Sequence, residues 1–247
     1  MTRFKAAGIH LGISLVVAAV VGSLIYFIWF PPPYFQVTGG NELIVLIMSV
    51  DIVIGPLLTF TVFKHGKKGL RFDLSVIALL QAAAFCYGFW VISNSRPVFV
   101  VARLDRFIAV AASELADDDL AAAKDPAFAH RPWTGPRLVG AVSPTDPKDK
   151  QDLLFSGLAG KDLEKFPKYY VPYADVADKM LAQAKPLSEL ARRNTQYADI
   201  IHQYVASAGM PIEQLVYLPL QGHLDGFTMV LSKQSKQPLS ALAIDPW

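Results

Sequence analysis

Three long apolar stretches occupy most of the first 95 positions: Ile9–Phe30, Leu43–Phe63 and Leu74–Ser93. At about 1.5 Å of rise per helical residue each reaches roughly 30–33 Å, the thickness of a bilayer's hydrocarbon core. The pattern predicts three N-terminal transmembrane α-helices within residues 1–94. After Ser95 the rhythm changes. Val98–Val101 and Phe107–Val110 read as strands around the polar Arg103–Arg106, and Leu138–Val142 as another. Helical spacing follows over Lys148–Leu158, Tyr173–Ala184, Leu187–Arg192 and Thr195–Ser207, the last stopped by Gly209 and Pro211. Leu215–Leu220, Phe227–Ser232 and Leu239–Ile244 suggest a closing antiparallel sheet with a hairpin at Lys233–Gln237. Strands at both ends with helices between make residues 95–247 an α+β domain. The Pro- and charge-rich segment Asp125–Asp149 reads as a surface loop.

Composition sharpens this division. The chain is 53% hydrophobic and 18% charged, with a mean hydropathy of +0.33. Before Ser95 the basic residues are Arg3, Lys5, Lys64, Lys67, Lys68 and Arg71, and the acidic ones Glu42, Asp51 and Asp73. The remaining 17 basic and 18 acidic residues leave the C-terminal domain without the basic surplus that nucleic-acid binding requires. The single cysteine, Cys86, lies in the third stretch, so the C-terminal domain relies on no disulfide. Arg3 and Lys5 precede the first stretch and four basic residues fill the second loop, whereas Pro31–Asn41 carries none. The N-terminus and second loop are therefore expected in the cytoplasm, and the C-terminal domain on the far side. The first stretch ends in Trp29-Phe30-Pro31-Pro32-Pro33 with no small-residue cleavage site, which reads as a retained signal anchor. Tyr26, Trp29, Tyr34, Phe35 and Trp90 read as an aromatic belt at the exit.

Polar and small residues within the apolar stretches are the candidates for function. Gly8 and Gly12 form a G-x-x-x-G pair, read as continuing on one face through Ser14, Ala18 and Gly22. Such a face suits packing within the chain, or docking of a partner's helix. Asp51, mid-way along the second stretch, costs about 2.5–3.5 kcal/mol to place there. It shares a helical face with Gly55 and Thr59, while Pro56 is expected to kink the helix. Gln81 lies at intermediate depth on the third stretch. Two roles stand open for Asp51: an internal hydrogen bond that fixes helix register, and contact with a partner helix. Asp73, in the first turn of the third helix, suits the helix dipole.

The sequence resembles the type IV pilin accessory proteins of the TfpX/TfpZ kind. The resemblance is carried by Tyr34-Phe35, Gly39-Gly40, Val50-Asp51 and Gly55-Pro56-Leu57-Leu58-Thr59. Phe63, Lys67-Lys68, Leu70, Asp73-Leu74, Gln81 and Tyr87-Gly88 continue it, as do Arg96-Pro97-Val98-Phe99, Asp105-Arg106-Phe107 and the final Asp245-Pro246-Trp247. Ala102-Arg103-Leu104 departs from the more apolar residues expected there, and Ser113 to about Leu215 matches nothing. The resemblance implies a bacterial inner-membrane protein with a periplasmic C-terminal domain, acting on the major type IV pilin, and inner-membrane assembly proteins with it, before or during pilus assembly.

No H-E-x-x-H, G-x-S-x-G, Walker loop or cysteine pair is present, so neither enzymatic activity, cofactor nor metal is expected. His130, His202 and His223 are isolated, and Asp117-Asp118-Asp119 lacks the ligand spacing of a calcium loop and suits a helix start. Arg96, Asp105 and Arg106, at the membrane exit, suit headgroup contact, an internal salt bridge or recognition of a partner's head. Candidate partner-binding residues are therefore Gly12, Ala18, Gly22, Asp51, Gly55, Pro56, Gln81, Arg96, Asp105 and Arg106. The alternatives are a periplasmic sensor or scaffold acting with another membrane protein, and an intramembrane aspartyl protease. The latter needs two facing aspartates, and only Asp51 lies deep.

Overall fold

The computed structural model describes residues 2–193, 195–224 and 226–247, with the backbone alone at positions 42, 43, 46 and 47. Helix α1 (Arg3–Leu24) starts at Thr2, whose hydroxyl accepts the Lys5 N–H, and runs into a π turn over Ile25–Trp29. A short helix, α2 (Tyr34–Val37), leads to α3 (Gly40–Ser49), a π turn over Val50–Ile54, and α4 (Gly55–Val62). The kink expected at Pro56 takes the form of that π turn. Proline lacks the N–H, and its ring presses on the carbonyl four residues back, so the preceding turn widens. Helix α5 (Leu70–Ser95) closes the bundle, with Asp73 in its first turn bonded to Lys67 at 2.6 Å.

Arg3–Trp29 and Leu70–Ser95 are each long and apolar enough to cross a membrane. The middle segment is helical from Gly40 to Val62 as α3, the π turn and α4, which covers the stretch expected over Leu43–Phe63 up to its last residue, and within it Val50–Val62 is a shorter apolar helix than the other two. Val16, Val20, Phe27, Leu57, Leu79 and Leu80 point outward with more than half their surface exposed. A water-soluble protein rarely leaves so large an apolar surface uncovered.

The domain that follows is α+β. Its strands are β1 (Pro97–Arg103), β2 (Arg106–Ala111), β3 (Arg137–Ala141), β4 (Tyr170–Pro172), β5 (Lys185–Pro186), β6 (Leu215–Gln221), β7 (Phe227–Ser232) and β8 (Pro238–Leu242). Its helices are α6 (Asp117–Ala121), α7 (Pro147–Leu158), α8 (Ala177–Gln183), α9 (Leu187–Arg193) and α10 (Ala198–Ala208). The sheet order is β4-β3-β1-β2-β6-β7-β8, with β5 beside β6. Pairs β1–β3 and β2–β6 are parallel, and the rest antiparallel, including the β7–β8 hairpin over 233–237.

The unbroken apolar run of β1 follows from burial on both faces. Val100 and Ala102 enter one core with Phe107, Met180, Leu218 and Met229, whereas Phe99 and Val101 enter the other with Val110, Leu115, Val139 and Tyr170. A third cluster covers Leu215 and Tyr217 with Leu187, Leu190 and Ile201 from α9 and α10. Two expectations are corrected. The helix expected from Tyr173 begins only at Ala177, because Tyr173–Asp175 forms a 3-10 turn after Pro172. Asp125–Asp149 is not a plain surface loop: Phe128 is buried, and β3 lies at the sheet's interior.

The bundle and the sheet are locked together at two points. Val37 is fully buried in the sheet's own core, with Tyr34 packed against the same cluster. Burial pushes the Tyr34 hydroxyl pKa up to about 12. Leu224 N–H donates to the Val37 carbonyl at 3.0 Å, and Gly222 lies against Val37 so closely that a Cβ there would stand 2.7 Å from that carbonyl oxygen. At the second point, Gly135 N–H donates to the Ile28 carbonyl at 2.7 Å, and the Trp133 ring meets Trp29 edge-on at 5.3 Å.

Candidate functional site

Between α1, the α3–α4 segment and α5 lies a cavity of about 530 Å³. Its walls are apolar, from Ile9, Ile13, Val17, Ile25, Ile77 and Phe85 among others, but five polar side chains meet in it: His10, Ser14, Asp51, Thr59 and Gln81. Helical spacing brings them there. His10, Ser14 and Ala18 follow at four-residue steps on α1, and Asp51, Gly55 and Thr59 do so across the π turn and α4. His10 Nδ1 and Thr59 Oγ1 are hydrogen-bonded at 2.6 Å. Gly55 lets the third helix close in: a Cβ there would overlap the Gln81 amide nitrogen and stand 3.0 Å from His10 Nε2. Pro56 follows it in the first turn of α4.

Asp51 lines this cavity without a hydrogen bond to any described residue. The internal bond weighed for Asp51 is thus made by other groups, since His10–Thr59 and the Gly55–Gln81 approach set the helix register. Gly55→Leu is expected to cost about 1–3 kcal/mol by overpacking. Its readout is the thermal midpoint of the detergent-solubilised protein, and an unchanged midpoint would refute the close approach.

The small-residue stripe divides in two. Ser14, Ala18 and Gly22 face inward, where a Cβ on Gly22 would stand 2.7 Å from the Met48 methyl, whereas Gly8 and Gly12 have nothing within 4 Å and face outward. The expectation of one continuous face fails because each residue turns the helix by about 100°, so Gly12 and Ser14 lie on nearly opposite sides. The inward residues pack the chain itself, and the outward pair is left open.

Arg96 is the C-cap of α5, and only 8% of its surface is exposed. Its guanidinium lies 5.6 Å from the ring centres of both Trp29 and Trp133 and donates to the Ser93 carbonyl and, at 3.1 Å, to the Ser93 hydroxyl. Burial, and after it the nearby Arg131 charge, lower its pKa. Among the described residues it makes no salt bridge and instead forms a cation–π clamp on the bundle. Trp29 is fully buried in this clamp and does not join the exposed belt, while Tyr26 and Trp90 do face outward. Asp105 and Arg106 sit at the distant end of the β1–β2 hairpin. Arg106 Nε donates to Asp105 at 2.9 Å and holds the Asp105 carboxyl below the usual carboxylate range, and the Arg106 guanidinium lies over the Trp247 ring at 5.9 Å.

The structure thus brings Asp51, Gly55, Gln81 and Ala18 to one cavity, and leaves Gly12, Arg96, Asp105 and Arg106 elsewhere. His10 was missed by the sequence reading. The signal was available, since a histidine lies four residues before Ser14 inside an otherwise apolar stretch. Among the described residues no group of three or more His, Cys, Asp or Glu converges as metal ligands.

A family model for "Fimbrial assembly protein FimB" matches residues 1–39. The chain is 31% identical to the fimbrial assembly protein of serogroup I of Dichelobacter nodosus over 245 residues, covering 98% of this chain and 95% of that protein. It is 30% identical to the serogroup E1 protein over the same shares, and 40% identical over 119 residues to the protein of serogroups C1 and C2, covering 47% of this chain and 90% of that one. No solved structure matches. With the motifs of the helical half and an alignment spanning nearly the whole of both chains in agreement, this chain belongs to the family of fimbrial assembly proteins.

Proposed function

We propose that the protein is an inner-membrane accessory of type IV pilus assembly that binds the major pilin and holds it, in the manner of a chaperone, before or during incorporation. Membership in the fimbrial assembly family supports the role in pilus assembly. In this reading three helical segments cross the membrane, the N-terminus faces the cytoplasm, and the α+β domain stands in the periplasm. The distribution of basic residues and the apolar outer surface support that arrangement.

The observation that carries the binding reading is Asp51, set in an apolar cavity without a hydrogen-bond partner among the described residues. A side chain from a docked helix would meet there a carboxyl, an imidazole and an amide within apolar walls. The open Gly8–Gly12 face of α1 supports close approach of a second helix backbone. The chain acts by binding and needs no catalytic step.

Gly12→Leu and Asp51→Ala test this. Gly12 has empty space around it, so leucine there is expected to leave the protein intact and to obstruct only a partner. Each variant is expected to accumulate normally while crosslinking of pilin to the helical region falls about tenfold, equivalent to about 1.4 kcal/mol of lost contact. Undiminished crosslinking and piliation in both would refute the reading.

A further inference from the structure

The sheet has an unpaired edge inside the molecule. On one side β2 keeps β1 along its whole length, but on the other it shares only Phe107 and Ile108 with Leu220 and Gln221 of β6. Beyond Gln221 the chain leaves the sheet, because Gly222 lies against Val37 and Leu224 bonds to it. Ala109 to Ala111 therefore have no strand beside them on that side among the described residues. The Ala111 N–H turns instead to the Glu114 carboxylate at 2.8 Å. A cleft of about 730 Å³ stands where the missing strand would run. It is bounded by residues 108–111, by Gln221 and His223, by Glu114, and by Thr38 and Ser95 at the junction with the helices.

We propose that this cleft receives an extended segment of the pilin's soluble part, added to the sheet as a strand beside β2. The proposal rests on the pilin-binding reading and adds where and how the head is held. Two observations select this occupant. A strand edge presents N–H and C=O groups at β spacing, which an extended polypeptide backbone matches. The cleft is also continuous with the helical site. Ile92 lines the cavity in the bundle and Ser95 lines the cleft, three residues or roughly 4.5 Å further along the same helix. A partner helix docked in the bundle therefore delivers its first non-helical residues to the edge of β2.

The test uses the full-length protein in its native membranes, with a photo-reactive phenylalanine in place of His223 inside the cleft, or of Lys150 on α7 outside it. The His223 position is expected to give an adduct that maps to one contiguous pilin segment, and the Lys150 position none. Ser113 is exposed on the cleft's rim, so Ser113→Trp is expected to fold normally and to lower the His223 adduct about tenfold. Ser113→Arg is the second blocking variant, and limited proteolysis verifies the fold of both. Adducts with lipid alone, with a second copy of this chain, or scattered over the pilin would overturn strand addition, as would a signal undiminished by both blocking variants. If a probe on the helical face captures pilin while His223 does not, strand addition alone fails. If neither captures it, the pilin-binding reading itself fails.

Discussion

Trp29→Ala is expected to lower stability by about 3–5 kcal/mol, the usual cost of emptying a large aromatic site in a core. In a protein of this size that is a fall in thermal midpoint on the order of 10 °C. Trp29 is fully buried, meets Phe89 at a tilt with ring centres 5.0 Å apart and Trp133 edge-on at 5.3 Å, and lies under the Arg96 guanidinium. Removing it leaves a hole between bundle and sheet and strips a buried cation of one of its two aromatic partners. Cleavage by added protease within residues 30–39 is expected to rise accordingly. Trp29→Phe separates packing from polarity. The indole N–H has no partner among the described residues, so phenylalanine forfeits no hydrogen bond there and is expected to lose less than about 1.5 kcal/mol. Equal losses in the two variants would mean that ring packing is not what joins the two parts.

Gly222→Ala is expected to cost about 1–3 kcal/mol and to loosen the lock at Val37. The added methyl would meet the Val37 carbonyl oxygen at 2.7 Å and the Val37 Cγ1 at 2.5 Å, and a backbone atom in a packed core gives way only if the segment moves. The hydrogen bond from Leu224 to Val37 lengthens with it, so amide exchange at Leu224 is the direct readout. Gly140→Ala is the control. Its added methyl meets Val176 Cγ2, just before α8, at 2.5 Å, and the variant is expected to cost a similar amount while leaving the Leu224 amide protected. Protection of Leu224 unchanged in Gly222→Ala would show that the contact does not hold the turn.

These two locks bear on how binding in the bundle is felt in the sheet. Val37 belongs to the sheet's core although it precedes α3 in the chain, and Arg96 leads from α5 directly into β1. A partner that shifts the ends of α3 or α5 therefore moves residues bounding the β2 cleft, Thr38 and Ser95 among them. The helical cavity and the cleft are joined by packed side chains rather than by a flexible linker.

Apolar run length and period determined the helices of the first half and most strands and helices of the second, because those signals are local. A helix of Leu70–Ser95 or a strand of Phe227–Ser232 needs only its own residues to be recognised. The alignment of Asp51, Gly55 and Thr59 was legible for the same reason, as was the resemblance carried by motifs of the helical half. The two-residue strand β5 and the three-residue β4 were not legible, since strands that short carry no alternation.

Which chains of residues face one another is a different matter. Only the tertiary structure turned Gly12 outward and Gly22 inward, since the facing element on each side is chosen by packing among α1, α3 and α5. It alone placed His10 against Thr59, 49 residues apart, and Arg96 between Trp29 and Trp133. It also stopped β6 two rungs after it met β2, because Gly222 closes on Val37, and so opened an edge that no pattern along the chain could announce. Periodicity states which side of an element is apolar; contacts between distant segments decide what that side touches, and in this protein those contacts make both the helical cavity and the cleft.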